Sequence, residues 1–246
     1  EHQNNAIIEW NKTKKGILAH ATGSGKTFTS LAAAVGTYQE NQKLILIVVV
    51  PYQILADQWV EEMKKFNMFS LPAYEKKENW ESSLQNKIQE LKNKKKYFLP
   101  IVSVVKTFSQ NRFQYLYKKL DSNNILIIGD ECHNYSANKY LKLFSHPTMK
   151  LGLSATPFNP NQFQARIKNL FEIFGKVCDV FSLKDALNAD LLSPYKYNLV
   201  FCTPSNDERD SIIELNSQIK QTFARDPKKL NPRTLEIINK LNKKLE

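Results

Sequence analysis

Short unbroken aliphatic runs recur through the first two-thirds of the chain, at residues 16–19, 44–50, 99–105, 125–128 and 151–153. They are dense in Ile, Leu and Val and do not alternate with polar positions, which is how strands buried on both faces read. Between them lie stretches with apolar residues three and four apart: Phe28, Leu31 and Val35; Leu55, Trp59, Met63 and Phe66; Trp80, Leu84, Ile88 and Leu91. That spacing lines one face of a helix. Strand–helix alternation of this kind predicts an α/β fold, a parallel sheet with helices on both faces.

The pattern loosens after residue 158, and 197–201 is a candidate last strand. Past Pro204 only helical spacing remains. Ile212, Leu215, Ile219 and Phe223 mark one helix, and Leu235, Ile238 and Leu241 mark another. Asp226-Pro227 and Asn231-Pro232 break the chain between them. The expected division is an α/β domain over residues 1–204 and a helical C-terminal extension, a connector or insertion, over 205–246. No internal repeat is visible, and Lys94-Lys95-Lys96 reads as a solvated helix end.

With 246 residues, 42% of them hydrophobic, the chain can bury the core of one large domain. Its net charge of +11 fits a polyanionic partner such as nucleic acid. The charge fits equally a surface of dispersed, solvated lysines, since there are 30 Lys against 5 Arg. Cys132, Cys178 and Cys202 are few and far apart, so neither a disulfide framework nor a zinc cluster is indicated. A reducing cytoplasm is the expected setting. No apolar run approaches the ~20 residues that span a bilayer. The first motif lies almost at residue 1, and the chain reads as a fragment of something longer.

Candidate chemistry sits where the aliphatic runs end. Ala21-Thr22-Gly23-Ser24-Gly25-Lys26-Thr27 follows one run and opens a helix, the context a phosphate-binding loop requires. Glycines let backbone N–H groups turn toward phosphate oxygens, and the helix N-terminus adds partial positive charge. Thr22, Gly23, Ser24 and Gly25 would cradle the phosphates. Lys26 would reach the β- and γ-phosphates, and Thr27 would offer its hydroxyl to Mg²⁺. The strict pattern places Gly where this chain has His20. The second signal is Asp130-Glu131, two acids at the end of the run 125–128. There Asp130 would hold Mg²⁺, directly or through water, and Glu131 would act as general base on the attacking water.

Asp130-Glu131-Cys132-His133 resembles motif II of the DEAD/DEAH-related superfamily 2 helicases, and Ser154-Ala155-Thr156-Pro157 is similar to their motif III. The resemblance implies the first RecA-like motor domain of an ATP-dependent helicase or translocase. By it, His133 contacts Ser154 or Thr156, and these residues with Ala155 couple the nucleotide site to the nucleic-acid groove. Gln3 matches the residue that reads the adenine edge, which implies ATP. Val50-Pro51-Tyr52-Gln53 through Trp59 looks like motif Ia, and Pro51, Tyr52 and Gln53 become candidate contacts to a phosphate backbone. Trp59 reads instead as core. Lys106 and Thr107 occupy the place of a later nucleic-acid-contacting motif, and Phe108 is either a stacking platform or packing. Residues 182–195 look like the closing part of the motor domain. The resemblance spans about residues 1–201 and extends to motors linked to restriction, phage defence and repair.

Such motors need a second RecA-like domain that supplies an arginine finger. None of Arg112, Arg166, Arg209, Arg225 and Arg233 lies in a recognisable finger motif. Slow turnover by these residues alone is therefore expected. DNA is the favoured partner over RNA. The rivals are a protein-remodelling P-loop ATPase, which does not explain Ser154–Pro157, and a degenerate nucleic-acid-binding module, which the intact Lys26, Thr27, Asp130 and Glu131 oppose. A motor joined to a nuclease elsewhere in the protein is a third arrangement.

Overall fold

A computed structural model describes residues 1–74, 80–158, 164–193, 196, 198–200 and 203–225. The chain divides into two compact units, Glu1–Pro194 and Tyr195–Glu246.

The first unit opens with α1 (His2–Asn11), β1 (Lys15–His20), α2 (Lys26–Asn41), β2 (Lys43–Val50), α3 (Gln53–Lys65) and β3 (Leu71–Ala73). It continues with α4 (Trp80–Leu91), β4 (Tyr97–Val104), α5 (Val105–Phe108), α6 (Asn111–Tyr117) and β5 (Ile125–Gly129). The last elements are α7 (Asn138–Leu143), β6 (Met149–Ser154), α8 (Gln164–Phe174), β7 (Val177–Phe181) and α9 (Leu183–Asn188). The seven strands form one sheet in the order β3-β4-β2-β5-β6-β1-β7. Every pairing is parallel. This is the expected α/β architecture, a RecA-like sheet with helices on both faces.

Strand β2 shows why the aliphatic runs are unbroken. Successive strand residues point to opposite faces. Ile45, Ile47 and Val49 join one core with Trp80, Leu84, Phe113 and Phe174 from α4, α6 and α8. Leu44, Leu46, Val48 and Val50 join the other with Trp10, Leu31, Ala34, Trp59 and Met63 from α1, α2 and α3. Both faces being covered, no polar position interrupts the run.

Three expectations need correction. The residues 198–200, expected within a last strand, form none, and Leu199 and Val200 are exposed; Tyr197 and Phe201 lie outside the described residues. The last strand is β7 instead. Phe28 and Phe66, placed in core stripes, are 48% and 41% exposed and lean on each other with ring centroids 5.5 Å apart. Phe28 sits in the first turn of α2, and Phe66 is the residue that follows the last of α3.

The second unit contains α10 (Asn206–Arg225), where the first tail helix was expected. The expected helix through Leu235, Ile238 and Leu241 lies outside the described residues, as does Cys202.

Candidate nucleotide site

Because the sheet is wholly parallel, the carboxyl ends of its strands share one edge, where ligands of open α/β sheets bind. His20 ends β1, Val50 ends β2, Gly129 ends β5 and Ser154 ends β6. Each expected motif therefore begins at that edge. The tips of β1 and β5 are not adjacent, because β6 lies between them.

The loop after β1 turns through Gly23 and Gly25, with φ of 81° and 83°. A side chain is strained there, and at Gly25 an added Cβ would also strike Gln3 Nε2. Gly25 precedes Lys26, the first residue of α2. The first N–H groups of a helix have no intrahelical acceptor, so the turn presents donors to an anion. The Ser24 hydroxyl is buried without a partner. Lys26 Nζ donates to His20 O at 2.9 Å and Ala21 O at 3.0 Å, folded back over its own loop. Burial draws its pKa below the ordinary lysine value, while Glu131 and then Asp130 act to raise it. All these features suit a phosphate chain that would take the ammonium.

A Cβ at Gly129 would press on the Phe174 ring and lie 3.2 Å from Tyr135, so any side chain there forces the packing to shift. The chain then turns sharply. Glu131 has φ 47°, in the left-handed region that non-glycine residues rarely adopt. Both oxygens of Asp130 are engaged: Oδ1 accepts from Glu131 N at 2.9 Å and Oδ2 from Trp59 Nε1 at 2.8 Å. Val49 O accepts from Asp130 N and from the Tyr135 hydroxyl, each at 3.0 Å, tying the acid to β2. Among the described residues no cluster of three or more His, Cys, Asp or Glu fits a metal. Magnesium at phosphates needs no such cage, since it is held by one or two protein oxygens plus substrate and water. Asp130 and Thr27 would supply oxygens of that kind.

His133 Nδ1 lies 3.0 Å from Ser154 Oγ and 3.4 Å from Glu131 Oε2. The contact expected between His133 and Ser154 or Thr156 is made with Ser154. Thr156 N donates to the same oxygen at 3.2 Å. Ala155 between them is half-buried. Gln3 Nε2 donates to Ser24 O and Gly25 O, each at 3.5 Å. Cys132 is fully buried, and burial pushes its thiol pKa well up, so it is packing rather than nucleophile.

On the proposed nucleic-acid side, Tyr52 is the N-cap of α3 and is 64% exposed; Gln53 is exposed and Pro51 half-buried. Lys106 is exposed. Thr107 must be withdrawn as a contact. It is fully buried, because the short helix α5 turns it inward, and no strand reaches its hydroxyl in this conformation. Phe108 is packing, fully buried against Phe113, Tyr117 and Phe144.

Several neighbours of the site escaped the sequence reading. Trp59 was assigned to the core; it is buried, but its N–H reaches Asp130. His2 donates to Ser24 O at 3.0 Å and stacks on Phe181 at 4.0 Å. His20 is fully buried, with Nε2 2.7 Å from Asp179 Oδ2. Burial lowers its pKa against the raising influence of Asp179. The departure from Gly at residue 20 was the one available signal, and nothing local pointed to Asp179.

Known proteins are similar to this chain in sequence and in fold. The "Type I restriction enzyme SsaAORF53P endonuclease subunit" of Staphylococcus saprophyticus is 28% identical over 184 residues, covering 72% of this chain and 18% of the relative. The "DNA 3'-5' translocase XPB2" of Sulfurisphaera tokodaii is 25% identical over 228 residues, covering 91% and 45%. Among solved structures, a nuclease-deletion mutant of the Type ISP restriction-modification enzyme LlaGI, in complex with a DNA substrate mimic, aligns with a TM-score of 0.58. It has 16% identity and covers 92% of this chain and 22% of that one, a likeness of fold. The chain thus spans less than half the length of these relatives. Residues 1–159 match the family described as "Type III restriction enzyme, res subunit", and the chain belongs to that family.

Proposed function

We propose that this chain is the first motor domain of an ATP-dependent DNA translocase or helicase, of a restriction, phage-defence or repair type. One observation carries the reading: at the sheet edge that bears the glycine loop and Lys26, His133 joins the acid pair to Ser154 at the tip of β6. A phosphate-binding loop alone would fit any P-loop ATPase. The relatives point the same way, one being named a DNA translocase and another a restriction endonuclease subunit.

In this reading Gln3 holds the adenine edge, and the turn at 22–25 with the N-terminus of α2 cradles the phosphates. Lys26 leaves its loop carbonyls for the β- and γ-oxygens. Thr27 and Asp130 would hold Mg²⁺, which would offset charge on the phosphates. Glu131 takes a proton from the attacking water. His133, Ser154, Ala155 and Thr156 pass the state of the site to the surface at Pro51, Tyr52, Gln53 and Lys106, where DNA binds. A second RecA-like domain outside these residues closes the cleft and supplies an arginine finger. Residues 1–204 form the motor domain and 205–246 a helical connector. The protein works in the cytoplasm; among the described residues no helix is long and apolar enough to cross a membrane.

The test is the ATPase rate of the full-length protein with duplex DNA, single-stranded DNA and RNA across a salt series. Stimulation by DNA that falls with salt is expected. Turnover indifferent to every nucleic acid would overturn the reading.

A further inference from the structure

A buried indole N–H needs an acceptor, and a core tryptophan ordinarily finds a backbone carbonyl, as Trp10 does at Lys150 O, 2.9 Å away. Trp59 finds a carboxylate. Its ring is 3% exposed within the core beneath α3, yet its Nε1 is 2.8 Å from Asp130 Oδ2, 71 residues along the chain. Hydrogen bonds to a charged acceptor are stronger than neutral ones and fix its direction. Indole is donor-only, so the bond stays oriented whatever the surroundings. The other oxygen of Asp130 is held by Glu131 N, which leaves the carboxylate little freedom to rotate.

The same helix has an exposed end. Trp59 lies six residues beyond Gln53, about 9 Å along α3 at 1.5 Å per residue. At that end Tyr52 and Ile54 are 64% and 69% exposed. Ala56, Trp59 and Met63 are buried along one face of α3, which seats the helix on the sheet from its exposed end to beyond Trp59. We infer that Trp59 is a positioning residue that aims the Asp130 carboxylate and links it, through helix α3, to a nucleic-acid strand seated at Tyr52 and Gln53. This inference rests on the proposed function. It adds a second route between the two sites, through α3, beside that of His133 and Ser154. A strand that shifts α3 lengthens or shortens the bond to Oδ2, and with it the grip on the metal.

Trp59→Phe keeps a buried aromatic ring and deletes the donor. Replacing Trp59 by its benzothiophene isostere keeps the shape as well, and serves if the Phe variant melts early. In the full-length protein, Mn²⁺ binding in the presence of ADP is followed by electron paramagnetic resonance. ATPase is titrated with Mg²⁺, with and without duplex DNA, and DNA affinity is measured separately. Loss of an outer-shell partner predicts roughly 10–100-fold weaker metal binding or activity. DNA stimulation should fall with it, while DNA affinity stays within about twofold. A merely structural role would lower the melting temperature and leave the metal dependence alone. Wild-type metal dependence and DNA stimulation in the isostere variant would overturn the inference and leave the function standing. A wild-type protein without DNA-stimulated turnover would overturn both.

Discussion

His133 Nδ1 sits 3.0 Å from Ser154 Oγ, so the loop carrying the two acids is pinned to the tip of the neighbouring strand β6. Thr156 N shares that hydroxyl, which draws the loop after β6 into the same small network. If this network reports the nucleotide state, removing the hydroxyl should cost communication first. Ser154→Ala is expected to lower the DNA-stimulated ATPase rate more than the unstimulated rate. A coupling of ~1.4 kcal/mol corresponds to about tenfold. Equal loss of both rates, in steady-state assays with saturating ATP, would show that the hydroxyl serves the chemistry instead.

Lys26 and Glu131 should fail differently. Lys26→Ala removes the charge that meets the phosphates, and loss of nucleotide binding with turnover is expected. Glu131→Gln leaves the phosphate cradle intact and removes the base, so ATP should bind and persist while turnover falls roughly 10²–10⁴-fold. Fluorescent-nucleotide binding beside a phosphate-release assay separates the two. Rapid turnover by Glu131→Gln would return the search for the base to the rest of the site.

Residues 1–246 tested alone should turn over ATP slowly. The expected shortfall against the full-length protein is about 10³–10⁵-fold, the worth of an arginine finger. Brisk DNA-stimulated hydrolysis by this segment would mean that it holds the whole catalytic set.

Lys150 is 6% exposed on β6, and burial with the nearby Lys15 charge brings its pKa down to about 8. Below that pH both folded and unfolded chains carry the charge, and the folded state bears the full penalty. Between about 8 and 10.5 the folded chain sheds the proton while the unfolded chain keeps it, so stability rises with pH. Lys150→Met should therefore stabilise the protein at pH 7, by at most about 3 kcal/mol at 1.36 kcal/mol per unit. Its advantage over wild type should fade by pH 10. Urea denaturation of both proteins at the two pH values measures the difference.

Gly129→Ala places a methyl group against Phe174 and Tyr135. Overpacking of this kind costs about 1–3 kcal/mol. It also lies one residue from Asp130, so ATPase should fall alongside the thermal midpoint.

The sheet was legible because its central strands obey a local rule. β2 is buried on both faces and so aliphatic from Leu44 to Val50, and the loop and acid pair announce themselves by sitting at the ends of such strands. Edge strands escape that rule. β7 is half-exposed and carries Cys178 and Asp179, while β3 has three residues, one of them Pro72. Contacts across long stretches of chain escape it too. Nothing near Trp59 foretells a bond to Asp130, and nothing near His20 foretells Asp179, because the fold alone brings those pairs together. Thr107 was misread for a related reason: motif position locates a residue along the chain, and the helix turn decides which way it faces.

The strand inserted between β1 and β5 fixes an interval at the sheet edge of two strand spacings, about 10 Å. As built, Lys26 forms no salt bridge with either acid among the described residues, and it rests on its own loop carbonyls. Opposite charges kept apart in this way would suit the phosphate chain and counter-ion of the proposed function.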